Sequence, residues 1–298
     1  MDISNLSPLE LIDLERYPIT QMSSPSGVKM IADCHQQIKK NGSCVLPGFL
    51  KKEVIDEIAK ECDTLSHLAY HNIESYNNYD PKGDLDFPNN HPRNRWFYSS
   101  NNLLAYNYIP QEFKLYKLYH CDIFAEFIAS ILQMKKIYCF NDEFQALNIS
   151  FMQDGDHFNW HYDFNDFIIT ILLQEPEIGG EFEFVPNIRN EKEQNYPQVE
   201  KLFDTGEHTR KETLTLRAGT LTLFQGMNSM HRVKCVYGKK KRIVSILCYH
   251  SKENFKTMDE QNAYAYGSRA VEIMEKKDRW YNFGKLRRKV RRYIMDNL

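Results

Sequence analysis

The chain has 298 residues, 42% of them hydrophobic and 26% charged, with a net charge of −2 at pH 7. That composition is ordinary for a globular protein and excludes collagen-like, disordered and disulfide-dense chains. No run approaches the ~18 apolar residues of a transmembrane helix, so no membrane segment is expected. The acidic opening MDISNLSPLELIDLE lacks the apolar stretch of a secretory signal. Seven scattered cysteines without a C-x-x-C pair point to a reduced, cytoplasmic compartment.

Charge is unevenly spread. Residues 276–298 hold nine Lys/Arg against two Asp, a net of +7. A basic tail on an acidic body can touch an anionic surface, but such a run reads first as the solvated face of a terminal helix.

In chain order, the spacing of Val28, Ile31, Ala32, Cys34 and Ile38 predicts a helix over 26–41, stopped by Asn41-Gly42. SCVLPGFL reads as a short strand. A second helix is expected at about 51–69, with Val54, Ile55, Ile58, Ala59, Cys62 and Leu65 on one face. Residues 71–94 are polar and rich in Asn, Asp and Pro, and read as a long lid-like loop extending to about 100. A third helix is expected over 111–134. From 144 the texture turns to short strands: FQALNISFM, FNDFIITILLQ, GEFEFVPN, KETLTLRAG, TLTLFQG, HRVKCVYG and RIVSILCYH. Gly179-Gly180 reads as a hairpin turn, and 259–298 as helix again. The expected fold is α+β in one domain over 1–298. A mainly helical part (1–143) precedes a jelly-roll core (144–250) and a helical, basic C-terminal segment (251–298).

His-x-Asp occurs twice. His120 and Asp122 fall in the expected third helix, where residues two apart point about 200° away from each other and cannot share an ion. His161 and Asp163 fall in an extended segment, where residues two apart share a face. His231 follows a strand and a turn and can return beside them. Two His and one carboxylate make the facial triad of non-haem Fe(II), with three positions open. The helical His-x-x-x-His spacing common in zinc hydrolases is absent. 2-Oxoglutarate suits such an ion because its keto-acid end fills two positions and O2 takes the third. Arg242, on the next strand among Ile243, Val244 and Ile246, can pair with its far carboxylate. The adjacent Arg232 points to the opposite face from His231.

The series NGSCVLPGFL, GDHFNWHYDF, ITILLQEPEIGGEFEFVP, AGTLTLFQG and HRVKCVYGKKKRIVSIL resembles the Fe(II)/2-oxoglutarate-dependent dioxygenases over roughly 40–250. The resemblance implies a double-stranded β-helix (jelly-roll) core. It also implies oxidation of an unactivated C–H bond, with 2-oxoglutarate converted to succinate and CO2. DFPNNHPRNR and the block after His161 look like the free-amino-acid branch, which holds radical amino-acid halogenases and their lysine-hydroxylating relatives. Those halogenases carry a small residue where this chain has Asp163, so the resemblance implies hydroxylation, with lysine as the example substrate.

Further candidates are less directly marked. Gln145 and Asn148 stand on the strand before the motif and could bond 2-oxoglutarate. Arg93 or Arg95 could clamp a substrate carboxylate if the loop lids the barrel. His157 and Trp160 flank the motif, and Asp166 could face a substrate ammonium. A peptide or carrier-bound substrate is the alternative. Nucleic-acid demethylation fits less well, because the relatives with that activity place a second Arg six residues after the first, where this chain has Cys248, and the body is acidic. A non-enzymatic jelly-roll binding module would tolerate loss of His161 or Asp163. A homodimer is left open.

Overall fold

The computed structural model describes residues 6–79 and 82–278; most of the basic tail lies outside them. A seven-stranded antiparallel sheet runs in the order Ser43–Leu46, Leu221–Phe224, Ile168–Gln174, Arg242–Leu247, Leu147–Met152, Trp96–Leu104, Tyr70–Asn77. A four-stranded sheet faces it, in the order Glu212–Leu214, Phe182–Val185, Met230–Val233, Phe158–His161. These two sheets are the double-stranded β-helix, flanked by helices.

Alternation along the large sheet explains its layering. Leu147, Ile149 and Phe151, Ile169, Ile171 and Leu173, and Ile243 and Leu247 all belong to the main core. They face the helices Pro25–Asn41, Lys52–Asp63, Lys114–Tyr119 and Asp122–Ile131. Their even-numbered neighbours point the other way, between the sheets. Phe49 stacks on Phe127 and tilts against Phe124 in the helical layer. The first helix begins where expected: Ser24 accepts the Gly27 N–H at 3.1 Å, Pro25 opens the helix, and Gly42 ends it at φ +66°. Val28, however, is 57% exposed.

Several expectations are corrected. The two ends of 71–100 are strand rather than loop: Tyr70–Asn77 and Trp96–Leu104 pair as the edge of the large sheet. Asn72, Glu74 and Asn101 stand among their inward residues, so no continuous apolar alternation marks them. The connection between them is internally bonded, Asn94 donating to the carbonyls of Asp84 and Phe87 at 2.8 and 2.9 Å. The second helix stops at Asp63, followed by a short turn at Ser66–Leu68. The third breaks into two at His120-Cys121. His120 bonds the Tyr106 hydroxyl at 2.9 Å. Gly179-Gly180 is not a hairpin turn. Here the chain crosses from the large sheet to the small one, with Gly179 pairing with Val236. Tyr196–Thr205 is a helix that the pattern does not announce.

The final helix, Asp259–Asp278, is broken at Gly267 (φ +54°, ψ −139°). Its first half is anchored by Asp142, whose Oδ2 accepts from the Thr257 N–H and the Asn262 amide at 3.0 and 3.2 Å. The helix thereby closes one end of the space between the sheets. All seven cysteines are free thiols. Among the described residues no helix is long and apolar enough to cross a membrane.

Candidate functional site

A cavity of about 250 Å³ lies between the sheets. His161, Asp163, His231 and Arg242 all line it. His161 and His231 are direct register partners on neighbouring antiparallel strands, with ring centroids 3.9 Å apart. Asp163 follows two residues after His161. Its Oδ1 lies 3.4 Å from His231 Nε2 and 3.9 Å from His161 Nε2. One ligand atom from each of the three falls within 4.8 Å of the others.

The rings are oriented from behind. His161 Nδ1 lies 2.7 Å from the Asn159 carbonyl, and His231 Nδ1 lies 2.9 Å from the Ser229 carbonyl. A carbonyl only accepts, so each Nδ1 carries a ring proton, which leaves Nε2 as the atom each ring would offer a metal. Both Nε2 atoms are turned toward Asp163. Burial and the neighbouring His231 push the His161 imidazolium down to about 3, so the ring is neutral, as a ligand must be. Burial would raise the Asp163 carboxyl, but the two imidazoles override it and hold it below the usual carboxylate range. Asp163 Oδ2 is buried without a hydrogen-bond partner. Two imidazoles presenting Nε2, one carboxylate and its orphaned oxygen fit a divalent metal. Gly226 makes this possible, since a Cβ there would collide with the Asp163 carboxylate.

Arg242 sits on the opposite wall, 7% exposed. Burial draws its guanidinium down to about 10. Its Nη1 lies 3.9 Å from Met152 Sδ, and it has no ion-pair partner among the described residues. A buried cation without a counter-charge is costly, and it can recover that cost by binding an anionic ligand. Gly180 leaves the space it occupies, because a Cβ there would stand 2.9 Å from Arg242 Cδ.

The other anticipated residues are not brought to the cavity wall. Gln145 Nε2 donates to Asn262 at 3.0 Å, tying down the final helix. Asn148 shares the inward face of its strand but donates to the Phe144 carbonyl. Arg93 bonds Asp84 at 2.6 Å and the Tyr196 hydroxyl at 3.2 Å, and Arg95 pairs with Asp204 at 2.6 Å. Both arginines therefore bind the loop together and to the Tyr196–Thr205 helix, with no free guanidinium to clamp a carboxylate. His157 contacts the Tyr98 carbonyl at 3.1 Å on the exterior. Trp160 packs outward, with the Arg232 guanidinium 4.4 Å above its ring. Asp166 is exposed on the loop after the metal motif. Arg232 does face away from His231, pairing with Glu183 at 2.6 Å.

Sequence reading missed Asn72, Glu74 and Asn101 on the edge strands and Tyr264 on the final helix, all of which line the cavity. It also missed Thr222, whose buried hydroxyl has no partner. Tyr264 could have been found only by knowing where the last helix docks. Thr222 alternates with Leu221 and Leu223 in TLTLF, a period-2 signal that does mark it as inward.

The model of the Halogenase D family matches residues 27–266. The chain belongs to the Halogenase D family. No curated protein matches it. Among solved structures, this Halogenase D member is similar to SnoN, described as a non-heme alpha ketoglutarate dependent epimerase from nogalamycin biosynthesis. The identity is 14%, over 74% of this chain and 81% of that one, at a TM-score of 0.51. SnoN in complex with Fe3+, alpha ketoglutarate and nogalamycin RO matches at 14% identity and a TM-score of 0.49, over 74% and 84% of the two chains. HygX from Streptomyces hygroscopicus, with nickel and 2-oxoglutarate bound, matches at 13% identity and 0.49, over 73% and 85%. The SnoN likeness supports the double-stranded β-helix fold of this Halogenase D chain.

Proposed function

We propose that this protein is an Fe(II)- and 2-oxoglutarate-dependent hydroxylase acting on an unactivated C–H bond of a free L-amino acid, with lysine as the leading candidate. The observation that carries the reading is one cavity holding both a three-donor cluster and a buried, uncompensated guanidinium. His161, Asp163 and His231 would hold the ion on one side through two Nε2 atoms and a carboxylate oxygen. Arg242 would take the far carboxylate of 2-oxoglutarate in a bidentate pair. Bound iron would supply the oxidation chemistry, using O2 and yielding succinate and CO2 from the cosubstrate. The chain's own part is to orient both ligands and to keep the site dry. Phe158, Phe182, Phe224 and Ile246 line the space between the two groups with apolar surface.

Asp163 favours hydroxylation over halogenation. Its carboxylate stands where the halogenases, by resemblance, leave room for chloride. A carboxylate there both fills a coordination position and repels an anion. Membership in the Halogenase D family describes ancestry and fold. The residue at this one position argues for the reaction.

The test is a turnover screen. Anaerobic protein is loaded with Fe(II), 2-oxoglutarate and each L-amino acid, and oxygen is then admitted. One amino acid gaining a single oxygen, with matching succinate and no chlorine even in excess chloride, is the expected result. Succinate that never rises above the uncoupled background for any amino acid would overturn the free-amino-acid reading. A chlorinated product would overturn the argument from Asp163.

A further inference from the structure

Arg242 has a counterpart of opposite charge at the far edge of the cavity, and the mechanism above does not use it. Glu74 stands on the edge strand Tyr70–Asn77 and lines the same space. Its carboxylate receives hydrogen bonds from the Tyr264 hydroxyl and from the Asn72 amide, the latter at 3.4 Å. Both donors are neutral, so they hold the carboxylate in place without balancing its charge. Glu74 forms no salt bridge with any described residue. Burial raises its carboxyl above the usual range, and the two hydrogen bonds only partly offset that.

A second polar atom points to the same kind of ligand. Asn101 is the register partner of Asn72 on the neighbouring strand and also lines the cavity. Its Oδ1 is buried without a hydrogen-bond partner. The orphaned amide oxygen stands one strand across from the uncompensated carboxylate and two positions along, so this edge of the cavity offers two acceptors and, among the described residues, no cation.

The sheet register separates this end from Arg242. Arg242 pairs with Met152, and Asn102 with Phe151, which places Asn101 in the same row as Met152 and Asn72 next in line. Three strand spacings separate Arg242 from Asn72, about 14 Å. The cavity is therefore polarised, with one buried cation for the cosubstrate at one end and a set of acceptors at the other.

We propose that Glu74 and Asn101 form an ammonium-binding subsite, so that the substrate is a primary ammonium compound held by its positive group at the β-edge of the cavity. The assignment rests on the hydroxylase reading above and deepens it by naming the residues that hold the positive group of the substrate. An ammonium has three donors, matching two acceptor side chains with one donor to spare. It restores charge balance to Glu74 and leaves Arg242 to the 2-oxoglutarate. Either an α-ammonium or a side-chain ammonium carries this chemistry.

Calorimetric titration of anaerobic Fe(II)/2-oxoglutarate-loaded protein separates the outcomes. The probes are L-lysine, L-norleucine, 6-aminohexanoate, cadaverine and hexanoate. At least one ammonium-bearing probe binds and hexanoate does not. Binding of norleucine but not 6-aminohexanoate assigns the α-ammonium; the reverse assigns the side-chain ammonium. Glu74→Gln weakens the bound amine at least tenfold, and Asn101→Ala weakens it by a smaller factor. Both variants keep wild-type affinity for 2-oxoglutarate, which also reports that they are folded. The subsite is overturned if Glu74→Gln binds the amine as well as wild type, if hexanoate binds equally well, or if no amine binds while 2-oxoglutarate does. Failure to bind 2-oxoglutarate at all would instead strike the oxygenase reading, a separate and distinguishable result.

Discussion

His161 and His231 face each other across an antiparallel strand pair, in direct register and with ring centroids 3.9 Å apart. They are 70 residues apart in the chain, yet the small sheet makes them nearest neighbours. Each ring is fixed by a carbonyl two residues before it. Asp163 completes the cluster from the loop leaving the same strand as His161.

That arrangement makes metal retention sensitive to each member. Replacing His231 or Asp163 with Ala is expected to lower Fe(II) affinity by about 100-fold or more, since losses of supporting contacts alone commonly reach 10–100-fold. Metal content after gel filtration reads the effect, and an unchanged far-ultraviolet circular dichroism spectrum shows that the sheet persists. Full retention of iron by both variants would refute the assignment of the cluster.

Gly226 is predicted to be as intolerant as a ligand. A methyl group there occupies the place of the Asp163 carboxylate. Gly226→Ala should therefore release metal while touching none of the three donors. Its thermal midpoint in the metal-free state should fall by only a few degrees, because the conflict is confined to one side chain.

Arg242 offers a case in which stability and function separate. Arg242→Met removes the bidentate partner of 2-oxoglutarate and should raise its Kd by about 100-fold, roughly 3 kcal/mol. The same change removes a buried, uncompensated cation, so the ligand-free protein should be as stable as wild type or more so. Calorimetric titration and thermal unfolding on one preparation check both halves. Parallel loss of stability and binding would contradict the account.

Asp142 is expected to govern the closing helix. Its Oδ1 accepts from the Phe144 and Gln145 N–H groups, both at 2.8 Å, and its Oδ2 from Thr257 and Asn262. Asp142→Ala strands these buried donors and should cost about 3 kcal/mol. Amide hydrogen exchange should accelerate first in 259–266, and amine binding should weaken with it, because Tyr264 and Ala265 form part of the cavity wall.

The chemistry-bearing core was legible in the sequence because it follows local rules. His161 and Asp163 are two apart, and Arg242 begins an apolar strand in which a charge stands out. The strands from 147 to 250 announce themselves by β-branched and aromatic runs. The edge strands Tyr70–Asn77 and Trp96–Leu104 were not legible, because Asn72, Glu74 and Asn101 stand at positions that face the cavity. Asn, Glu and Ser at inward positions imitate loop composition. Arg93 and Arg95 were expected at the pocket because their loop read as a lid, and His157 and Trp160 because they flank the metal motif in sequence. A strand sends successive side chains to opposite faces, and Trp160 beside His161 points away from the site.

The sequence by itself determined the donor types, their spacing and the alternation that builds two sheets, since these depend on contacts along one strand. Only the tertiary structure decided which side chains share the enclosed space. Strand register puts Asn72, Asn101, Met152 and Arg242 in one row, and the docking of the last helix delivers Tyr264 to Glu74. Those placements come from pairings between segments far apart in the chain. Hydrogen-bond geometry and burial of the opposite, apolar face fix them, and no local pattern records them.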